Sequence, residues 1–322
     1  MKYKNNDLEL YKLGLGCGGM INTDNKSENI ATIYEALDSG INLLNTADFY
    51  GSGKSEMVIG EALKGQKREN AFVSVKFGVL FGPNGSMYGL DVRPLTIKNY
   101  LTHTLKRLNL DYIDLYQPAR IDLGIPVEET IGAISDLVKA GYVKHIGITQ
   151  VDADTLRRAN SVHPISFIES EYSLFNRNLE KDILPIAREL GIGVVAFGVL
   201  AHGLLSGTWS KETSHSYNSR IPLFFKENID NNLELVNALR VIADEKQITI
   251  PQLAIAWLLN KGDDIITLVG ASRLSTLQDS LKSIDVKLSF ADIERIEKVI
   301  TEDKISGSSF PEVVFKNGVI VN

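Results

Sequence analysis

Short apolar runs alternating with longer amphipathic ones predict a parallel β/α architecture, and the number of repeats predicts its closure into a (β/α)8 TIM barrel. Three observations carry this reading. Eight runs of about four to six residues, mostly β-branched or aromatic, recur along the 322 residues, with turn residues nearby. The stretches between them are long enough to hold crossover helices, and strand–helix–strand units of this kind require parallel pairing with right-handed crossovers. About eight such units close a barrel, at a chain length that barrels commonly reach as one domain. An open doubly wound sheet is the alternative that the pattern leaves standing.

The candidate strands, in order, are Leu13–Gly16, Leu43–Thr46, Phe72–Lys76, Ile113–Gln117, Val143–Ile148, Phe167–Ser170, Gly193–Phe197 and Ile266–Val269. Their near-continuous apolar character suits strands buried on both faces. Between the first two, Asn29 to Ser39 places Ile30, Ile33, Tyr34 and Leu37 on one helical face and stops at Gly40, a C-cap. Thr96 to Leu108 repeats the pattern with Tyr100, Leu101 and Leu105. Glu128 to Lys139 closes at Gly141, and Glu180 to Leu190 closes at Gly191. Two insertions follow strands and so fall on the C-terminal face of a barrel. Leu80 to Pro94 is glycine-rich, and Thr208 to Asp230 is polar with Trp209, Tyr217, Phe224 and Phe225 interleaved. The residues before Leu13 form an N-terminal extension. No linker or internal repeat divides the chain, so one domain over residues 1–322 is expected.

Composition narrows the function classes. With 44% apolar and 23% charged residues the chain is of the ordinary globular type. A formal net charge of -6 supplies no basic field for nucleic acid or an anionic membrane. The one cysteine, Cys17, allows no internal disulfide and suits a reducing cytosol. The opening MKYKNNDLELYK lacks the apolar core of a signal peptide. The longest apolar run, Gly191 to Leu205, contains His202 and four glycines and is too short and interrupted to span a bilayer. A cytoplasmic protein acting on small molecules is expected, with its oligomeric state left open.

The most informative segment is Asn45-Thr46-Ala47-Asp48-Phe49-Tyr50-Gly51, directly after an apolar strand. In a barrel it lies at a strand's C-terminal end, where chemistry is housed. Tyr50 could give a proton to a carbonyl oxygen as it becomes an alkoxide. A free phenol has a pKa near ~10, and a neighbouring cation would lower it. Lys76, closing Val73-Ser74-Val75-Lys76-Phe77-Gly78, is the natural cation. Spacing alone equally allows a loop aromatic and a strand-end lysine with its head in water.

The segments TADFYG, VSVKFG, DYIDLYQPAR, AGYVKHIGIT, ESEYSLFNR and VVAFGVLAHGLLSG, in this order, resemble the aldo-keto reductase superfamily. The resemblance runs from about Leu13 to Leu281. It implies a (β/α)8 barrel that binds NADP(H) without a Rossmann domain, in keeping with the absence of a GxGxxG element here. Gly14-Leu15-Gly16-Cys17-Gly18-Gly19 lacks that spacing, and its glycines read as a tight turn under the cofactor.

The family's catalytic set is Asp, Tyr, Lys and His. By position, Tyr50 and Lys76 are retained, whereas Asn45 stands at the Asp position and Ala119, two residues after Gln117, at the His position. Asn45 is expected to accept a hydrogen bond from Lys76 without adding charge. Lacking a carboxylate partner, Lys76 is then expected to titrate lower, and restoring Asp at position 45 to raise turnover. Ala119 removes a donor aimed at the substrate oxygen, of a kind that contributes ~2.7–4 kcal/mol elsewhere. The stretch Gln117-Pro118-Ala119-Arg120 with Ile125-Pro126-Val127-Glu128-Glu129-Thr130 is similar to a bacterial subgroup that carries Ala there regularly.

The resemblance also assigns the cofactor site. Ser272 and Arg273 would hold the 2′-phosphate of NADP(H), Arg273 through its planar fork. Thr276, Asp279 and Ser280 fall at adenine positions. Thr149 and Glu169 would grip the carboxamide, Glu169 replacing a usual Gln and, when ionised, only accepting. Phe197 would stack on the nicotinamide, and Gly198, Leu200 and Gly203 would follow the pyrophosphate. Gly18 and Asn45 complete the cofactor floor, and Arg220 sits in a loop over the cofactor. Of the histidines, at 103, 145, 163, 202 and 215, none has metal-ligand spacing, and no metal site is expected. His202 lies in the cofactor loop, where Arg is frequent in the family. The reading is an NADP-dependent oxidoreductase reducing an aldehyde or ketone, sugar-like ones included, reversibly to an alcohol. Two alternatives accompany it: a cofactor-binding protein with vestigial catalysis like the potassium-channel β subunits, for which Asn45 and Ala119 are the case, or a barrel using bound nicotinamide for elimination or isomerisation.

Overall fold

The computed structural model describes residues 2–5, 8–64, 68–210, 218–309 and 313–321; His215 and Tyr217 lie outside the described residues. A hairpin of β1 (Lys2–Asn5) and β2 (Leu8–Tyr11) leads into β3 (Leu13–Gly16), α1 (Lys26–Asp38), β4 (Leu43–Ala47) and α2 (Lys54–Leu63). Next come β5 (Phe72–Phe77), a second hairpin of β6 (Val79–Phe81) and β7 (Met87–Leu90), and α3 (Pro94–Leu108). The alternation continues through β8 (Ile113–Pro118), α4 (Val127–Lys139), β9 (Val143–Thr149), α5 (Ala153–Val162), β10 (Ile165–Glu171), α6 (Ile183–Glu189) and β11 (Gly193–Phe197). It ends with α7 (Ile229–Glu245), α8 (Ile250–Leu259), β12 (Ile265–Gly270), α9 (Leu274–Leu281), α10 (Phe290–Val299) and a short hairpin of β13 (Phe315–Lys316) and β14 (Val319–Ile320).

Eight parallel strands close a barrel in the order β10-β11-β12-β3-β4-β5-β8-β9, which rules out the open sheet. These are the eight apolar runs of the sequence, each shifted by at most two residues at an end. Their inward faces follow the two-residue period of a strand. At the N-terminal end the inward side chains are apolar, and Leu43, Phe72, Leu115, Phe167, Val195 and Leu268 pack together with Tyr3 and Leu10 of the first hairpin. The N-terminal extension is therefore the floor of the barrel, with the Tyr3 ring 5.2 Å from that of Phe167. Two residues further along the same strands the inward positions become polar: Asn45, Ser74, Gln117 and Glu169, with Lys76 beyond Ser74. Gly147 on β9 faces this region; a Cβ there would come within 2.5 Å of Gln117 Oε1, so only glycine leaves the amide its room.

One reading of the sequence is corrected. The helix expected over Glu180 to Leu190 spans only Ile183–Glu189, after a 3-10 turn at Asn178–Glu180. Pro185 confines the start, because its missing N–H is harmless only in a first turn. The glycine-rich Leu80 to Pro94 insertion is structured, forming the β6–β7 hairpin. The last hairpin extends it into a four-stranded sheet of order β13-β14-β7-β6. Asp122, buried after β8, fastens this sheet by accepting from the backbone N–H groups of Asn317 (2.7 Å) and Gly318 (2.5 Å). Among the described residues no helix is long and apolar enough to cross a membrane.

The floor packing predicts that Leu10→Ala destabilises the fold by about 2–4 kcal/mol through the cavity it leaves. Urea unfolding measures this, and a change below ~0.5 kcal/mol would show that the hairpin is not part of the core.

Candidate active site

The polar upper end of the barrel is built by strand register. β4 and β5 pair Asn45 with Ser74 and Ala47 with Lys76, while β5 and β8 pair Lys76 with Gln117. Glu169 enters from the far side, on β10 beside Thr149 of β9. Lys76 and Glu169 are 4% and 2% exposed. Lys76 Nζ donates to Asn45 Oδ1 at 2.6 Å and to Glu169 Oε1 at 2.8 Å. Glu169 Oε2 accepts from Asn45 Nδ2 at 2.7 Å and from Gln117 Nε2 at 2.6 Å. Ser74 Oγ accepts from the same two amides at 3.3 Å.

Asn45 thus accepts from Lys76, as the sequence suggested. The expectation of a low-titrating Lys76 is overturned. Burial does pull the ammonium down, but the charge of Glu169 and then Tyr50 outweigh it, and Lys76 titrates above its ordinary value. The reason is the closed barrel, which brings a carboxylate from the opposite strand to a lysine 93 residues away in sequence. The premise for a gain on restoring Asp at position 45 falls with it.

Tyr50 follows β4 in a tight turn. Gly51, Ser52 and Gly53 all have positive φ (57°, 54° and 90°), which reverses the chain within three residues and starts α2. The half-buried Tyr50 ring has its centroid 5.4 Å from Lys76 Nζ, and the phenol helps to raise the lysine. Phe49 packs edge-on against Tyr50 at 5.0 Å and stacks on Phe81 at 6.1 Å, giving the mouth an aromatic rim. Gly18 lies on the other side, where a Cβ would stand 3.3 Å from the Tyr50 ring. Ser55 ties the two loops together by donating to the carbonyl of Cys17 at 2.9 Å. Burial pushes the Cys17 thiol up to about 12, so it stays neutral beside Lys76.

The other expected positions divide. Gly19 runs past Ser272, whose Oγ would be 3.7 Å from a Cβ there, so the turn at Gly18–Gly19 links the Tyr50 side of the mouth to the start of α9. Arg273 is exposed at the N-cap of α9. Thr149 Oγ1 is buried with no hydrogen-bond partner among the described residues, a donor suited to a carboxamide oxygen. Phe197 ends β11 half-buried, and Gly198, Leu200 and Gly203 follow it, with φ of 67° and 98° at the two glycines. Arg220 is exposed in a 3-10 turn at Asn218–Arg220. Ala119 is buried and offers only its methyl group, its N–H being spent on Phe77 O at 2.9 Å. Three adenine positions are turned to other partners or left at the edge. Asp279 accepts from Gln252 Nε2 at 2.6 Å, Ser280 Oγ donates to the Thr276 carbonyl at 3.0 Å, and Thr276 is half-buried. His202 faces the buried carboxylate of Glu171 at 3.2 Å.

Sequence reasoning passed over Ser74 and Gln117 as members of this cluster. A signal was present, since each breaks an apolar strand at the polar inward phase set by Asn45 and Lys76. Asp48 lies outside the cluster, beside Glu56. Burial and then the nearby Glu56 push its carboxyl up to about 7, against hydrogen bonds from the Gly78 and Phe49 N–H groups.

Comparison with known proteins agrees with the barrel fold. The model of the Aldo/keto reductase family matches residues 12–301. The chain is 34% identical over 308 residues to the probable aldo-keto reductase 1 of Glycine max, covering 94% of this chain and 89% of that one. Among solved structures it resembles the glycerol dehydrogenase from Gluconobacter oxydans, at 28% identity, TM-score 0.84 and coverage of 92% and 94%. It also resembles an aldo-keto reductase from Bacillus halodurans in its holo form, at 27% identity, TM-score 0.79 and coverage of 94% and 96%. A closed barrel with a tyrosine and a buried lysine at its C-terminal mouth defines a class, and the chain belongs to the aldo/keto reductase family. It is an oxidoreductase of a family that works with nicotinamide cofactors.

Asp48 gives a pH prediction. Its folded pKa lies above the ordinary carboxyl value of ~3.9, so its contribution to stability is intact below about pH 4 and lost as pH rises through 7. Asp48→Asn should therefore gain on the parent between pH 5 and pH 8 by on the order of 1–2 kcal/mol, allowing for partial solvent contact. Urea melts at the two pH values test it; an equal difference at both would mean an ordinary carboxyl.

Proposed function

We propose that this protein is an NADP-dependent reductase of aldehydes and ketones, sugar-like ones included, working reversibly with the corresponding alcohols. The observation that carries the reading is the Tyr50 phenol at the barrel mouth beside a protonated, buried Lys76. A bound NADPH would supply the hydride; the residues supply binding, orientation and the proton. Tyr50 gives its proton to the carbonyl oxygen, and the Lys76 charge stabilises the phenolate left behind. The aromatic rim of Phe49 and Phe81 flanks the opening through which substrate reaches Tyr50. With Ala119 offering no donor, the phenol alone polarises the carbonyl, and the space beside it admits a bulkier substituent.

The residues fit a nicotinamide cofactor. The unpartnered Thr149 hydroxyl matches a carboxamide, and the glycines at 18, 198 and 203 leave the backbone open to close approach. Arg273 and Ser272, at the start of α9, are the groups for a 2′-phosphate, with helix amides adding to the site. The name of the Gluconobacter oxydans relative, a glycerol dehydrogenase, supports including small polyols among the alcohols. The vestigial reading loses half its case, because Glu169 supplies the charge that Asn45 lacks.

Two outcomes test the proposal. Tyr50→Phe should cut aldehyde reduction by about two orders of magnitude or more while leaving NADPH affinity unchanged, and a variant keeping most of its turnover would rule out Tyr50 as the donor. Arg273→Ala should weaken NADPH binding at least ~10-fold, through loss of a charge-assisted contact, and barely alter NADH binding. Fluorescence titration reads both affinities, and equal binding of the two cofactors by the parent protein would reject NADP preference.

A further inference from the structure

The Lys76 ammonium is sealed in the barrel, and one carboxylate among the described residues forms an ion pair with it, that of Glu169. Its other ionisable neighbours are the Tyr50 phenol, from the loop after β4, and the Cys17 thiol, from the turn after β3. The thiol is not an anion at neutral pH, because burial holds it up at about 12. We propose that Glu169 is the positioning counter-charge of Lys76, and that Asn45 and Glu169 form a single amide–carboxylate unit whose two members can be exchanged only together. This rests on the reductase reading for its consequence in turnover, but not for the ion pair itself.

The amide shows why. An ammonium only donates, so Asn45 must turn Oδ1 to Lys76; an ionised carboxylate only accepts, so Asn45 must turn Nδ2 to Glu169. Position 45 therefore needs an acceptor and a donor at once. A carboxylate there would meet Glu169 Oε2 at the 2.7 Å now spanned by the amide, and the two could not both stay ionised. Asn45→Asp alone should thus bring no gain. Glu169→Gln alone removes the charge that does most to offset burial, so Lys76 should lose its proton at lower pH. Exchanging both restores the pattern in mirror image. The carboxylate at 45 accepts from Lys76, the amide at 169 turns its NH2 to that carboxylate, and the Gln117 amide flips so that its Oε1, unpartnered in the parent, accepts from the same NH2.

The experiment is a four-member set: parent, Asn45→Asp, Glu169→Gln and the double variant. Each is labelled with 13C at the lysine Cε and titrated by NMR, with Lys76 assigned by its loss in Lys76→Met. NADPH-dependent reduction of a benzaldehyde series is followed from pH 6 to pH 9. Glu169→Gln should lower the Lys76 pKa by on the order of two units or more, with a turnover that falls away towards pH 9. The double variant should return both the pKa and the pH profile towards the parent, recovering about tenfold or more of the rate lost at pH 9. Asn45→Asp should then be harmful or neutral in the parent and beneficial beside Glu169→Gln. An unchanged Lys76 pKa in Glu169→Gln, or a double variant no better than that single one, would overturn the proposal. If Glu169→Gln does not fold, a folded double variant with a high-titrating Lys76 supports the exchange, and an unfolded one overturns it. If the parent reduces no carbonyl compound, the reductase reading fails while the titrations still decide the ion pair.

Discussion

Burying a lysine charge inside the barrel sets the terms for the rest of this structure. Removing an ammonium from solvent costs several kcal/mol unless an anion and good hydrogen bonds offset it. Lys76 has both, from Glu169 and Asn45. Each partner is in turn fixed, Glu169 by Gln117 and Asn45, and both amides by Ser74. The geometry of this network depends on barrel closure, because Glu169 and Lys76 come from strands that do not pair. The catalytic candidate Tyr50 is then placed by a short turn above a cation that cannot wander.

The interior changes character along its axis. Its lower half is an apolar plug to which the first hairpin contributes Tyr3 and Leu10. Its upper half is a hydrogen-bonded network that leaves few donors free, Thr149 among them. The rigid lower packing fixes the strand register, and register alone decides which side chains meet above. The mouth is walled by two hairpins distant in sequence, held by the Asp122 carboxylate on backbone amides of residues 317 and 318. Loops carry the variable parts while the strands carry the charged pair.

The barrel was legible because its signal is local: eight apolar runs, each separated by a helix-length segment, need no tertiary knowledge to count. Tyr50 and Lys76 were legible for the same reason, each lying at the end of such a run. Glu169 was picked out, but as a group for the cofactor, and its partnership with Lys76 was not foreseen. The pairing spans 93 residues and exists only across a closed barrel. Sequence distance also hid the Asp122 clasp, and a proline in the first turn shortened α6. The α9 positions show the converse limit. Asp279 and Ser280, expected at adenine positions, lie on α9, where local partners, Gln252 and the Thr276 carbonyl, hold their side chains.

The amide–carboxylate unit also bears on how such a site could have arisen. The family resemblance implies a pattern with Asp where this chain has Asn45 and Gln where it has Glu169. Each of the two routes between the arrangements passes through a single-substitution ancestor, one holding two adjoining carboxylates and the other none. On the proposed coupling, each intermediate is impaired, and the two substitutions are expected to have arrived together. Positions 45 and 169 are therefore the two to compare across relatives.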